Sequence, residues 1–340
     1  VKIALTACSI AFGLSVTAPQ QPASELWHDP TKHDIRFVTV DQGVQLEVLD
    51  WGGSGRPVVL LTGSGHTAHV YDEFAPKLTD CCHVYGITRR GFGASSRPQS
   101  GYDDQRLADD VFRVVEELKL PKPVLIGHSM AGGEMTTVGR QHSDRLAAAV
   151  YLDAIADLED DPPADKEWAA LQQKMPPDLR PRPSCPPTDR SSFPAYRTSL
   201  ACSLGFTFPE SELRNQFESV NGAVGPVTAA DWVMRSIGQQ QAYRKDYSNI
   251  TVPLLFLLEL PRFPANYHPR SDEERALIQQ FVDRGWVIVN RWIDKAKRNV
   301  RDVRVVDVPG GGHYLWITRE AVVLREIHSF IASLPADQGE

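Results

Sequence analysis

The stretch Val124-Leu125-Ile126-Gly127-His128-Ser129-Met130-Ala131-Gly132-Gly133 constrains this chain more than any other. Its apolar start, residues 123–126, predicts a buried strand; a glycine-rich turn follows, and helical spacing runs over 130–141. A turn of this kind lifts Ser129 between small neighbours, because bulk at Gly127 or Ala131 would collide with the backbone. The helix start sets unpaired N–H groups and the positive end of a dipole beside the hydroxyl. A serine hydroxyl becomes a nucleophile only when a base takes its proton and donors stabilise the oxyanion. The turn therefore asks the rest of the chain for a histidine, an acid and a second N–H donor. The competing reading is an ordinary Gly-His-Ser loop, since Ala131 stands where the pattern G-x-S-x-G has glycine.

The surroundings of this turn predict an α/β fold. Residues 57–61 are an apolar run typical of a strand buried on both faces, 146–152 read as another buried strand, and 83–88, 252–258 and 303–308 also read as strands. Residues 35–40 and 44–51 alternate and are split by a turn at Asp41-Gln42-Gly43. Helical spacing covers 71–78, 106–120 and 319–333, and Ser271-Asp272-Glu273-Glu274 is a capping box opening a long helix to about Lys297. Strands alternating with helices imply a mostly parallel central sheet with helices on both faces. Between 154 and 250 the alternation stops; proline pairs such as Pro162-Pro163, Pro176-Pro177 and Pro186-Pro187 punctuate short helical patterns. The expected organisation is a core of 24–153 and 251–340, with an inserted, mainly helical cap over 154–250.

Residues 3–18 are uncharged after Lys2, too short for a comfortable membrane span and similar to a secretory signal. A signal peptide over 1–23 and export follow as expectations. Cys185 and Cys202 lie in one irregular region and are candidates for a bridge in an oxidising compartment, whereas the adjacent Cys81 and Cys82 are not. No cysteine pair has zinc-type spacing and no phosphate loop is visible, so neither metal nor cofactor is expected. A net charge of -7 argues against nucleic acid and anionic membranes as partners.

The glycine-rich turn after residues 57–61, Arg90-Gly91-Phe92-Gly93-Ala94-Ser95, Gly127-His128-Ser129-Met130 and Gly312-His313 together resemble the α/β-hydrolase fold family, in its serine branch. The resemblance covers about 35–153 and 250–333. It implies Ser129 as nucleophile and His313, in the glycine-rich loop after the last strand, as base. Many members carry the acid after the penultimate strand, but that place reads Leu258-Glu259-Leu260-Pro261-Arg262 here. Asp153, at the end of the strand following the nucleophile helix, is the expected acid, an arrangement kept by haloalkane dehalogenases and certain lactone hydrolases; Glu259 is the alternative. The chemistry asks only for a carboxylate on the far imidazole nitrogen. The oxyanion hole is expected from the N–H groups of Met130 and Ser64. His66 and His69 read as pocket wall, His128 as pointing elsewhere, Arg90 as a tie between loops and Arg89 as surface. The implied activity is hydrolysis of a small-molecule carboxylic ester, lactone or thioester through an acyl-enzyme. The alternatives are a cofactor-free C–C hydrolase or lyase on the same triad, and a non-catalytic binding protein of the same fold.

Overall fold

A computed structural model describes residues 27–157, 162–177, 179, 184–240, 244–264 and 267–335. The expected signal peptide, 1–23, lies outside the described residues. The alternating segments form β1 (Asp34–Asp41) and β2 (Val44–Gly52), joined by a tight turn. β3 (Arg56–Leu61), β4 (Cys82–Ile87), α1 (Asp104–Glu117), β5 (Val124–His128), α2 (Ala131–Gln141) and β6 (Ala148–Leu152) follow. The next stretch holds α3 (Pro162–Lys174), α4 (Phe193–Leu204), α5 (Glu210–Gln216), β7 (Phe217–Val220), β8 (Ala223–Val227) and α6 (Asp231–Gln240). The chain ends with β9 (Leu254–Leu258), α7 (Asp272–Asn299), β10 (Val303–Asp307), α8 (Leu315–Thr318) and α9 (Glu320–Ser333).

Eight strands make one sheet in the order β1-β2-β4-β3-β5-β6-β9-β10. The β1–β2 and β2–β4 pairs are antiparallel and the other five are parallel. Successive residues of a strand point to opposite faces, so each central strand feeds two cores. Leu125, Tyr151 and Phe256 pack on one face with Val114 of α1, Met135 of α2 and Ile293 of α7. Val124, Ile126, Val150 and Leu255 pack on the other with Tyr71, Phe74 and the α9 residues Val323, Ile327 and Phe330. Phe193 and Phe208, from the stretch between β6 and β9, join this second core. Apolar area buried from both sides, at roughly 25 cal/mol per Å², is what makes these runs strands rather than surface segments.

The helix ends obey local chemistry. Asp103 caps α1 by accepting the Arg106 N–H at 3.0 Å, and Ser271 caps α7 by accepting the Glu274 N–H at 3.2 Å. The helix expected over 71–78 is instead two short 3₁₀ turns, Ala68–Tyr71 and Ala75–Leu78. Pro76 sits in the first turn of the second piece, where its missing N–H breaks any ladder from the preceding turn. The β7–β8 hairpin was not expected from the reading of 154–250 as helical. Asn221 and Gly222 make its turn, with φ of 51° and 84°, the left-handed pair that a two-residue hairpin needs. Cys185 and Cys202 are disulfide-bonded with Cα atoms 5.9 Å apart, and Cys81 and Cys82 are free thiols. Among the described residues no helix is long and apolar enough to cross a membrane.

Candidate active site

β5 and β6 lie side by side in parallel register, with His128 opposite Leu152. The next residue on each, Ser129 and Asp153, leaves its strand at positive φ, 54° and 46°. A left-handed non-glycine residue costs of order 1–3 kcal/mol and persists only where its surroundings over-determine it. Here the Ser129 N–H donates to Leu152 O at 3.2 Å, and the Asp153 N–H donates to Leu257 O at 2.9 Å on the following strand. A Cβ on Gly127 would lie 2.9 Å from the Ala131 Cβ and 2.8 Å from the Met135 sulfur, and one on Gly132 would strike the Ala154 carbonyl. These glycines let α2 start directly behind Ser129.

The loop after β10 brings His313 to this edge. Its Nδ1–H donates to Asp153 Oδ2 at 2.6 Å. Glu259, the alternative acid, does not reach the ring. Its two carboxylate oxygens accept the N–H groups of Gly310 at 3.0 Å and Gly312 at 2.7 Å. Both glycines sit at positive φ, and Glu259 fastens the backbone of this histidine loop rather than the imidazole. The Asp153 and His313 side chains are 36% and 47% exposed, open to an incoming molecule. Among the described residues no hydrogen bond joins the Ser129 hydroxyl to His313; such contacts are often long without substrate and tighten when it binds.

His128 does not point away. Its Nε2–H donates to His313 O at 2.9 Å and its ring centre lies 4.4 Å from that of His313. Burial, reinforced by His313 and His66 nearby, drives its pKa well below the ordinary value, so it stays neutral and serves as a fixed donor to the histidine loop.

The loop after β3 passes against the elbow. A Cβ built on Gly63 would be 2.5 Å from His128 Nδ1 and 3.4 Å from the Ser129 Cβ. Among the described residues neither the Ser64 nor the Met130 N–H donates to a backbone carbonyl outside the regular elements. Gly63→Ala is expected to push the His128 ring and lower kcat at least about tenfold with a smaller change in KM, because a misplacement near 1 Å costs up to about 100-fold. Steady-state kinetics on the folded variant checks this.

Arg89, expected at the surface, is buried. Its guanidinium donates to Thr62 O at 2.7 Å, to Gly63 O at 3.3 Å and to Glu134 Oε1 at 2.5 Å, tying the β3 loop to α2. Arg90 does tie loops, through paired bonds to Asp110 at 2.6 and 2.7 Å and one to Ser100 O at 3.3 Å. His66 is a buried bridge: it contacts Glu212 of α5 through Nδ1 at 2.8 Å and the Tyr314 hydroxyl through Nε2 at 3.0 Å. Glu212 also accepts from the Thr67 N–H and hydroxyl, so the stretch between β6 and β9 is clamped to the β3 loop and, through His66, to Tyr314 beside His313. His69 lies in a separate buried cluster with Asp72 and Glu47. Glu212 and Tyr314 carried no signal in the sequence, since only the fold brings them to His66. A groove of about 650 Å³ beside His313 is lined by Tyr314, Leu204, Phe206, Arg262 and Arg319 among others.

Residues 58–326 match the family model described as the alpha/beta hydrolase family. A non-heme chloroperoxidase of Kitasatospora aureofaciens is 38% identical over 120 residues, 34% of this chain and 43% of that one. A bifunctional esterase/perhydrolase of Acinetobacter calcoaceticus is 34% identical over 125 residues, 36% of this chain and 45% of that one. This chain thus matches less than half the length of either relative. The crystal structure of E-2-(acetamidomethylene)succinate hydrolase superposes with a TM-score of 0.61 at 20% identity, over 89% of this chain and 100% of that one. At that identity the likeness is one of fold.

Proposed function

The chain belongs to the alpha/beta hydrolase family, and on that premise we propose that it cleaves carboxylic esters, lactones or thioesters through an acyl-enzyme on Ser129. His313 takes the hydroxyl proton, passes it to the leaving alcohol and then activates the water that releases the acid. Asp153 sets the ring tautomer and stabilises the imidazolium. The N–H groups of Met130 and Ser64 receive the oxyanion. The observation that carries this reading is the 2.6 Å Asp153–His313 pair at the edge where Ser129 stands on its left-handed turn. A serine at that position is not matched to alkyl-ester chemistry, which needs an aspartate nucleophile.

The same proposal extends to the stretch between β6 and β9, read as a cap over the site; its clamp to the β3 loop through Glu212 supports this. Export is proposed as well, supported by the Cys185–Cys202 disulfide.

The test is labelling with a fluorophosphonate followed by peptide mass analysis, alongside turnover of p-nitrophenyl esters and a lactone panel. The expected result is one phosphonyl group, on Ser129, with parallel loss of ester turnover. A protein that takes no label is a binder and overturns the proposal. A protein labelled on Ser129 that turns over C–C substrates and no ester overturns the substrate class.

A further inference from the structure

A second constellation involves none of Ser129, Asp153 and His313, and the proposed hydrolysis does not use it. His33, His69, Asp29, Asp72 and Glu47 converge from the lead-in to β1, the first 3₁₀ turn and its end, and β2. We propose that Asp29, His33, His69 and Asp72 form a binding site for one divalent transition-metal ion, Zn²⁺ being the best match.

The geometry supplies the argument. The candidate ligand atoms of Asp29, His33 and His69 lie within 4.8 Å of one another. His33 Nδ1 is 3.3 Å from Asp72 Oδ1, His69 Nδ1 is 2.9 Å from Asp72 Oδ2, and His69 Nδ1 is 3.6 Å from Asp29 Oδ2. Ligands at 2.0–2.1 Å in a tetrahedron stand about 3.3 Å apart, so these separations bracket the edges of a zinc site. The His33 side chain is only 4% exposed, and its Nδ1 meets the Asp72 carboxylate at 3.3 Å without the geometry of a hydrogen bond. A buried ring nitrogen left in that state needs an explanation, and coordination provides one.

The outer groups also fit. His69 turns its Nε2 toward Glu47 Oε1 at 3.7 Å, the carboxylate-behind-histidine arrangement that orients metal-bound imidazoles. Glu47 is held in turn by the Thr88 hydroxyl at 2.7 Å, and Asp72 by Trp51 Nε1 at 3.0 Å and the Ser211 hydroxyl at 2.6 Å. Two histidines and a pair of carboxylates suit a first-row transition-series ion such as Zn²⁺ better than Ca²⁺ or Mg²⁺, which prefer all-oxygen shells. With Asp72 joining the three grouped residues as fourth ligand no position stays open, and the ion would be structural, stapling the lead-in segment to the core beneath α5. Without a metal, the positive charge falls to His69. Burial lowers its pKa, but the surrounding carboxylates of Asp29, Asp72 and Glu47 outweigh that and raise it to about 12.

The test uses the full chain stripped with a chelator, titrated with ZnCl₂ by calorimetry and with CoCl₂ by visible absorption. The expected result is one ion per chain, a tetrahedral Co²⁺ spectrum and a rise in thermal midpoint, with ester turnover changed little at low temperature. His33→Ala and Asp29→Asn should each abolish tight uptake, and Glu47→Gln should lower affinity by about 10–100-fold. Asp29→Asn keeps the shape of the lead-in, so it remains informative if His33→Ala folds poorly. The proposal is overturned if the wild-type chain takes up no metal, leaving protonated His69 as the cation, or if uptake is equal in wild type and both ligand variants. It is also overturned if Cys81→Ser removes the uptake, since Asp80, Cys81 and His328 form the other grouping of possible ligands among the described residues.

Discussion

Asp153→Asn is expected to lower kcat for ester hydrolysis by about 10⁴-fold, and Ser129→Ala by about 10⁴-fold or more, while both proteins stay folded. The amide at 153 keeps the shape but offers an N–H or a weak carbonyl to His313 Nδ1, so the ring is no longer held in the tautomer that leaves Nε2 free to accept. Glu259→Gln makes the discriminating control. Its oxygens accept from Gly310 and Gly312 and not from His313. One amide oxygen can still accept, so a fall of less than about tenfold in kcat is expected. Single-turnover and steady-state rates on the three variants, with circular dichroism as the fold check, measure this. A Glu259→Gln enzyme as dead as Ser129→Ala beside a nearly normal Asp153→Asn would reverse the acid assignment.

The second large effect is on stability. Arg89 and Glu134 face each other with side chains 5% and 3% exposed. Arg89→Ala leaves a carboxylate buried without its partner, and removing one member of such a pair costs ~3–5 kcal/mol. Urea unfolding at pH 7 reads the loss directly. The deficit should depend on pH in a definite direction. Burial already raises the Glu134 carboxyl above its ordinary value with the guanidinium beside it. With Arg89 gone the folded-state value rises further above the unfolded one. An acid of that kind holds more protons folded than unfolded, so stability falls as pH rises from the unfolded pKa through the folded one. The variant should therefore be closest to wild type near pH 5 and furthest from it at neutral pH. Arg89→Met with Glu134→Leu, which removes both charges, should recover most of the loss. Since Arg89 also holds Thr62 O and Gly63 O, the double variant should regain stability without regaining full kcat.

Much of this molecule is legible in its sequence because the signals are local. Each buried strand is a short apolar run, and Ser129 sits where a strand pattern changes to a helical one over a glycine-rich turn. Asp153 was legible for the same reason: it ends the strand that follows that helix. Arg89 was not. Next to Arg90 it reads as one of two basic residues in a loop, and only the approach of Glu134 and of the Thr62 and Gly63 carbonyls gives it a buried place. Glu212 is equally silent, one of two acids on the short helix α5, until the fold sets it against His66 and Thr67. The β7–β8 hairpin is a different kind of miss. Asn221-Gly222 is a strong hairpin signal, but it lies in a stretch whose proline pairs and short helical patterns favour a helical reading. The histidine cluster at His33 and His69 escaped because its members lie far apart in sequence and match no spacing motif.

The disulfide bears on how the protein must be produced. It links Cys185 to Cys202, 17 positions along, across the start of α4, whose Phe193 anchors this stretch in the core. A crosslink closing a loop of about 15 residues limits the unfolded chain by ~3 kcal/mol. Material made in a reducing cytosol would carry two thiols there, and the stretch between β6 and β9 would then be the part that proteases cut first.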